Sequence, residues 1–303
     1  MNTLRERQRN ANKNMTFEIM SDGAVAQIDS KGAELISLKD IFGTEYIWQG
    51  DEKYWNRHSP ILFPIIGEQK NGQYEYNGKI YSISRHGFAR DMEFKVINHT
   101  RDRIILALSF DENTLKKYPF NFRLQVTFSL ESAVLHVEYL VQNIGDSEMF
   151  FCIGGHTGYN VPLMPDEKFE DYYVKFEKHE NFNRMLLNEN GLYSGKTRHF
   201  LDGDSFQLNH SIFDDDAVVP DKLNSKSVSL VSRKTGRGVT VEFPDFDNLA
   251  IWSPKGDAPF VCLEPWNGQA SNESDDINLC SKKGIIELKA GGFYSACHTI
   301  TLL

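Results

Sequence analysis

Glu264 ends an apolar run, Ala258-Pro259-Phe260-Val261-Cys262-Leu263, and Pro265-Trp266-Asn267-Gly268 follows it at once. Proline cannot donate to a strand ladder, so the carboxylate is expected at a strand end, partly desolvated, where a loop opens. That setting suits a general base. Two other stretches, Ser84-Arg85-His86-Gly87-Phe88-Ala89-Arg90-Asp91 and Cys152-Ile153-Gly154-Gly155-His156-Thr157-Gly158-Tyr159-Asn160-Val161-Pro162, each set a histidine beside glycines and aromatics. One acid and two histidines from three distant segments make a candidate acid/base constellation.

Each motif is weak by itself. A lone histidine in a β-protein is more often a hydrogen-bonded structural residue than a catalyst, and His58, His99, His136, His179, His199, His210 and His298 are read that way. His86 and His156 stand apart because Gly87, Gly154 and Gly155 beside them permit close backbone approach or positive φ. Histidine or cysteine pairs at zinc spacing are absent, so no metal is expected. There is no Gly-x-Ser-x-Gly nucleophile turn, and Cys152 and Cys262 sit in apolar strand context where thiols are usually inert. The run Asp214-Asp215-Asp216 reads as a solvated turn, one of whose acids could accept hydrogen bonds from sugar hydroxyls.

The elements that must position these residues are strands. Phe122, Leu124, Val126, Phe128 and Leu130 alternate with polar residues, and Leu135, Val137, Tyr139 and Val141 repeat the pattern, as half-buried antiparallel strands do. Tyr74 to Ile83 predicts a hairpin turning at Asn77-Gly78, and Val228 to Phe243 another turning at Lys234-Thr235-Gly236-Arg237. Helical signals are thin: one turn near Asp51 to Asn56 and one around Asn113 to Lys117. No fixed-period repeat and no linker-like stretch divides the chain. One all-β domain over residues 15–303 is expected, its wide sheet folding into two packed layers with a concave face suited to a sugar.

Composition narrows the partners. A net charge of −9 with scattered basic residues argues against nucleic acid and anionic membranes. No run reaches the roughly 18 apolar residues of a membrane-spanning helix. Four widely separated cysteines without a Cys-x-x-Cys pair fit a reduced, cytoplasmic protein. Residues 1–14 are polar and Arg-rich, neither a secretory signal nor an anchor, and are expected to be a disordered tail or an extension upstream of the true start.

Taken in order, His86-Gly87-Phe88-Ala89-Arg90-Asp91, Gly154-Gly155-His156-x-x-Tyr159-Asn160-Val161-Pro162, Asp216-Ala217 and Ala258-Pro259-Phe260-x-Cys262-x-Glu264-Pro265-Trp266-x-Gly268 resemble the aldose 1-epimerase (galactose mutarotase) family, in particular its LacX-like bacterial branch. The likeness runs from about Ala33 to the C-terminus and takes in Glu45-Tyr46-Ile47-Trp48-Gln49-Gly50 and Pro60-Ile61-Leu62-Phe63-Pro64-Ile65-Ile66-Gly67. It implies a galactose mutarotase-like β-supersandwich of large antiparallel sheets. It implies that Glu264 is the general base at the anomeric hydroxyl and His156 the general acid at the ring oxygen, with no cofactor. His86 resembles the histidine that helps hold the ring oxygen, and Asp216 the acid that binds hydroxyls, with Asp215 one step away as the alternative. Trp266 or Tyr159 could offer an apolar face to the ring, or serve as core packing.

One departure stands out: Glu68 occupies the place where many relatives carry an arginine near the substrate hydroxyls. Arg57 and Arg90 could compensate. The His-Gly-Phe-Ala-Arg run also resembles hexose-6-phosphate mutarotases, so the two arginines could instead grip a phosphate, or form surface salt bridges. Three readings follow: a mutarotase of free aldoses, the same reaction on a sugar phosphate, and a non-catalytic sugar-binding protein. A glycosidase would want two carboxylates in suitable settings, and the chain offers one. Monomer and homodimer are both left open.

Overall fold

In the computed structural model, which describes residues 15–303, the alternating segments pair as antiparallel strands; the expected tail at 1–14 lies outside the described residues. The two strongest patterns become the adjacent strands Phe122–Glu131 and Val134–Asn143, with Leu124, Val126 and Phe128 facing the core beside Leu135, Val137 and Tyr139. They lie in a nine-stranded sheet whose order is Tyr193–Gln207, Tyr172–Leu187, Ser227–Ser232, Gly238–Glu242, Phe293–Leu302, Val134–Asn143, Phe122–Glu131, Arg103–Ser109 and Lys95–His99. The predicted hairpins are present: Tyr76 pairs with Lys79 around Asn77 and Gly78, both at positive φ, and Ser227–Ser232 pairs with Gly238–Glu242. Asp111 caps a short helix, Glu112–Leu115, close to the second helical signal. The first signal is only a turn, in which the amides of Tyr54 and Trp55 both donate to the carbonyl of Asp51.

A second, five-stranded sheet is built around Phe260–Asn267. One edge of this strand pairs with Asn248–Trp252, and the other with Ile153–Gly155 and Thr157–Asn160 in succession. Ile61–Leu62 pairs beyond Ile153–Gly155. A three-stranded sheet, Thr16–Met20, Ala24–Asp29 and Glu34–Asp40, contributes Ile19, Ala26, Ile28 and Leu35 to the same core. That core is the space between the nine-stranded sheet and the smaller sheets, so the layered arrangement expected from the sequence is present.

Pleating gives the central strand two faces. Val261 and Leu263 point into the main core, which contributes about 1.5–3 kcal/mol for each such side chain. Phe260, Cys262, Glu264 and Trp266 point the other way. On the neighbouring strands Gly154 and Gly158 share this second face, where side chains would collide with what is already there: a Cβ on Gly154 would lie 2.7 Å from Trp266 Cδ1, and one on Gly158 3.3 Å from Trp55 Cζ3. Gly155 faces the opposite layer, where a Cβ would stand 3.1 Å from the Tyr139 hydroxyl. The glycines therefore let two aromatic layers close on one strand.

Gly154→Ala is expected to destabilise the fold by about 1–3 kcal/mol in urea unfolding, because its Cβ would also lie 2.7 Å from the Pro265 carbonyl oxygen, a backbone atom that cannot turn aside. Gly203→Ala is the control: its nearest neighbour would be Leu201 Cδ1 at 3.7 Å, and its effect should stay within about 0.5 kcal/mol. Equal effects at the two positions would contradict the packing account.

Candidate active site

Register brings the acid and the imidazole together. Gly154 pairs with Trp266 and Thr157 with Leu263, so continuing the ladder places His156 directly across from Glu264 and Gly155 across from Pro265. The ladder is interrupted there because Pro265 has no amide hydrogen to give. Cross-strand neighbours share a face, and His156 Nε2 lies 3.4 Å from Glu264 Oε1 with both residues buried. Trp55 stacks on the His156 ring at a centroid distance of 4.9 Å, and Trp252 meets it edge-on at 5.5 Å.

Burial controls the charge of this pair. Desolvation, reinforced by the negative charge of Asp216, pushes the Glu264 carboxyl well above the usual carboxylate range. Desolvation, with the positive charge of Arg90 next in weight, pulls His156 down to about 3. Both groups are driven toward their neutral forms, so in the free protein the pair holds one exchangeable proton, on the carboxyl. His156 Nδ1 is buried and has no hydrogen-bond partner among the described residues.

His86 closes a third side. Its backbone is at φ +64°, a conformation costing about 1–3 kcal/mol for a non-glycine residue, which is commonly found where function holds a side chain in place. The Gly67 amide donates to His86 Nδ1 at 3.1 Å, which leaves Nε2 to carry the ring proton. Burial, then the neighbouring His156 and Arg90, hold this imidazole well below its ordinary pKa, so it stays a neutral donor. His86 and His156 meet edge to face at 5.6 Å.

Asp216 enters from the far wall. It lies at φ +74°, at the end of the 3₁₀ turn His210–Asp215, and lines the cavity, while Asp215 points away and accepts from Arg198 Nη2 at 2.5 Å. The loop is held by Arg184, a guanidinium only 1% exposed, which donates from Nε to the carbonyl of Ala217 at 3.0 Å, from Nη1 to that of Ile212 at 2.7 Å and from Nη2 to that of Asp216 at 2.6 Å. A buried cation satisfied by three carbonyls of one loop fixes where that loop stands. The resulting cavity, of about 250 Å³, is walled by Trp55, Trp252, Trp266 and Tyr193 as well as the charged groups.

A profile of the aldose 1-epimerase family matches residues 15–277. The chain belongs to this family. It is 36% identical to the chromosomal LacX protein of Lactococcus lactis subsp. lactis over 298 residues, covering 95% of this chain and all of that one, and the plasmid-borne LacX protein matches equally. A galactose mutarotase related enzyme from Lactobacillus acidophilus superposes with a TM-score of 0.92 at 33% identity, over 95% of this chain and 97% of that one. A galactose mutarotase-like protein from Lactobacillus casei gives 0.90 at 32% identity, over 95% and 100%. The fold is accordingly the galactose mutarotase-like β-supersandwich, as the resemblance implied.

Within this family fold Glu264, His156, His86, Arg90 and Asp216 line one cavity. Arg57 does not: its guanidinium pairs with Asp91 at 2.8 Å and lines a neighbouring crevice, so it does not converge on the cavity with Arg90. Arg85 takes that place instead, exposed at the cavity wall and packed on Gly191, where a Cβ would come within 2.2 Å of Nη2. Trp266 lines the cavity, whereas Tyr159 packs into the main core. Glu68 is not among the lining residues; its carboxylate accepts from the Gln69 amide at 3.0 Å. Cys152 and Cys262 are buried, as their apolar context suggested, but Cys262 stands beside His156 and Glu264, a juxtaposition that spacing along one strand could not reveal. Among the described residues no helix is long and apolar enough to cross a membrane.

Arg184→Met removes three donors and leaves the carbonyls of Ile212, Asp216 and Ala217 unsatisfied. A loss of about 3–5 kcal/mol in urea unfolding is expected. A loss below about 1 kcal/mol would mean that the Asp216 loop does not depend on this side chain.

Proposed function

We propose that this protein is a mutarotase, interconverting the α and β anomers of an aldose by acid/base ring opening and closure. The observation that carries the reading is the buried carboxyl 3.4 Å from a buried imidazole at the base of a cavity of monosaccharide size. Glu264 takes the proton of the anomeric hydroxyl, O1, and His156 gives one to the ring oxygen, O5, as the C1–O5 bond breaks. Rotation about C1–C2 turns the aldehyde, and the roles reverse as O5 attacks the other face: His156 takes the proton back from O5 and Glu264 returns its proton to O1. Neutral His86 donates Nε2–H toward the ring oxygen, Asp216 accepts from hydroxyls, and the tryptophans meet the C–H faces of the ring.

Proton accounting favours these roles. Opening starts from a carboxylate and an imidazolium and ends with both groups neutral. The neutral pair that burial favours is thus the form that accompanies the open aldehyde, so desolvation lowers the intermediate relative to the ring-bound state. A non-catalytic sugar-binding protein would gain nothing from burying an acid against an imidazole, and its hydroxyl contacts would be better made by groups that stay solvated.

Arg85 and Arg90 support a second reading, in which the aldose carries a phosphate. Both line the cavity, and Arg90 Nε is buried without a hydrogen-bond partner among the described residues. A guanidinium pair suits a phosphate dianion.

Polarimetry of freshly dissolved α-anomers, with hexoses and their 6-phosphates side by side, tests both readings. Glu264→Gln and His156→Asn should each lose at least about 10²-fold in turnover, about 2.7 kcal/mol of transition-state stabilisation. The double variant should lose far less than the product of the two, because the groups act as one relay. A Glu264→Gln loss under about threefold would sink the base assignment. Free hexose turnover that is insensitive to salt and to inorganic phosphate would rule out the phosphate reading.

The pH profile follows from the same pair. The one-proton form exists above the depressed His156 value, about 3, and below the raised Glu264 value. The acid limb of kcat/KM is therefore expected well below the ordinary imidazole value of 6.5, and activity should fall at high pH as the pair loses its last proton. An acid limb near pH 6.5 with the fold intact by circular dichroism would show that His156 is not held neutral in the free protein.

A further inference from the structure

The face that carries Glu264 also carries a thiol two residues before it. Cys262 is fully buried, and its Sγ, a ring nitrogen of His156 and a carboxylate oxygen of Glu264 all lie within 4.8 Å of one another. Two ligands bound at about 2.0–2.1 Å to a tetrahedral zinc ion stand about 3.3–3.4 Å apart. His156 Nε2 and Glu264 Oε1 are 3.4 Å apart, so two corners of such a tetrahedron are already set. His156 Nδ1 has no hydrogen-bond partner among the described residues to be lost if the ring turns. A shift of the sulfur toward the pair supplies a third corner, and the cavity side leaves a fourth for water. Three protein ligands and one open position form a pattern well known for zinc.

We propose that His156, Cys262 and Glu264 form a three-ligand site for a thiophilic divalent cation, with Zn²⁺ as the reference ion, whose occupation disables the acid/base pair. Binding forms Zn–N, Zn–S and Zn–O bonds and releases the thiol proton of Cys262 and the carboxyl proton of Glu264 to solvent. The product is a dication held by two anions and a neutral ring, with no net charge left in the buried site. Mg²⁺ and Ca²⁺, which prefer oxygen ligands, do not fit a sulfur-containing set. Metal binding is independent of the mutarotase reading; only its inhibitory effect rests on that reading.

The test titrates wild type, Cys262→Ala and Glu264→Gln with Cd²⁺, whose thiolate complexes absorb in the ultraviolet, and follows polarimetric turnover with Zn²⁺. Wild type should show a saturable Cd²⁺–thiolate absorption in excess of that of Cys262→Ala, and in Glu264→Gln this excess should need at least about tenfold more Cd²⁺, the loss that even an outer-sphere partner carries. Zn²⁺ should slow wild-type turnover, a chelator should restore it, and Mg²⁺ should have no effect. Cys262→Ala should need at least about tenfold more Zn²⁺ than wild type for half-inhibition of its own zinc-free rate. Cys152, Cys280 and Cys297 remain in every variant and give the same background, so equal absorption in wild type and Cys262→Ala would overturn the site. Equal zinc sensitivity in those two would overturn the inhibition. The absorption readout stands even where no sugar is turned over, and Glu264→Gln carries it if Cys262→Ala fails to fold.

Discussion

The cross-strand meeting of His156 and Glu264 is the constraint on which the rest of this molecule is organised. The ladder register sets these two ionisable side chains opposite each other on one buried face, beside a break in the ladder. Pro265 provides the interruption, while Val261 and Leu263 anchor the back of the strand in the main core. The front is then closed by aromatics, and these fit only because Gly154 and Gly158 carry no side chain. Each feature answers a demand made by the pair: a rigid strand, a dry face and room for large rings.

Dryness has an electrostatic side. Removing water raises the cost of separated charge, so a carboxyl and an imidazole in contact rest as a neutral couple, the opposite of the ion pair that their types suggest at neutral pH. Arg85, Arg90 and Asp216 stand around the couple, and a polar ligand that displaces cavity water would change its balance. The position of Asp216 depends in turn on Arg184, whose charge is spent entirely on backbone carbonyls. The surroundings of the couple are thus adjustable by groups that do not touch it.

Much of this was legible in the sequence, for identifiable reasons. Strands such as Phe122–Glu131 have one face in the core and one facing out, so their period of two is clean. Glu264, His156 and His86 were legible because proline or glycine beside a polar residue at an apolar strand end is unusual. Asp216 could not be separated from Asp215, since the choice is made by Arg184 and Arg198 on the hairpin of Tyr172–Leu187 and Tyr193–Gln207. Its alternation is broken by register shifts between Lys175 and Glu180 and again near Phe182 and Met185. Arg85 escaped notice because an exposed arginine beside a histidine has no local signature. Arg57 attracted notice for its charge alone, and Asp91 holds it. The proximity of Cys262 to His156 is a property of ladder register, which local spacing does not encode.

The central position of Phe260–Asn267 in its sheet has a consequence for synthesis. Its partners Ile153–Gly155 and Thr157–Asn160 emerge from the ribosome about 100 residues earlier, an interval of about 5–20 s at 5–20 residues per second. Until the central strand arrives, those segments present unpaired amides and carbonyls and an apolar face with nothing to cover them, which is the condition that invites edge-to-edge association. The yield of folded protein is therefore governed by how this one late strand is awaited, and a chain cut short before residue 260 would be left with open sheet edges and with His156 facing no carboxyl.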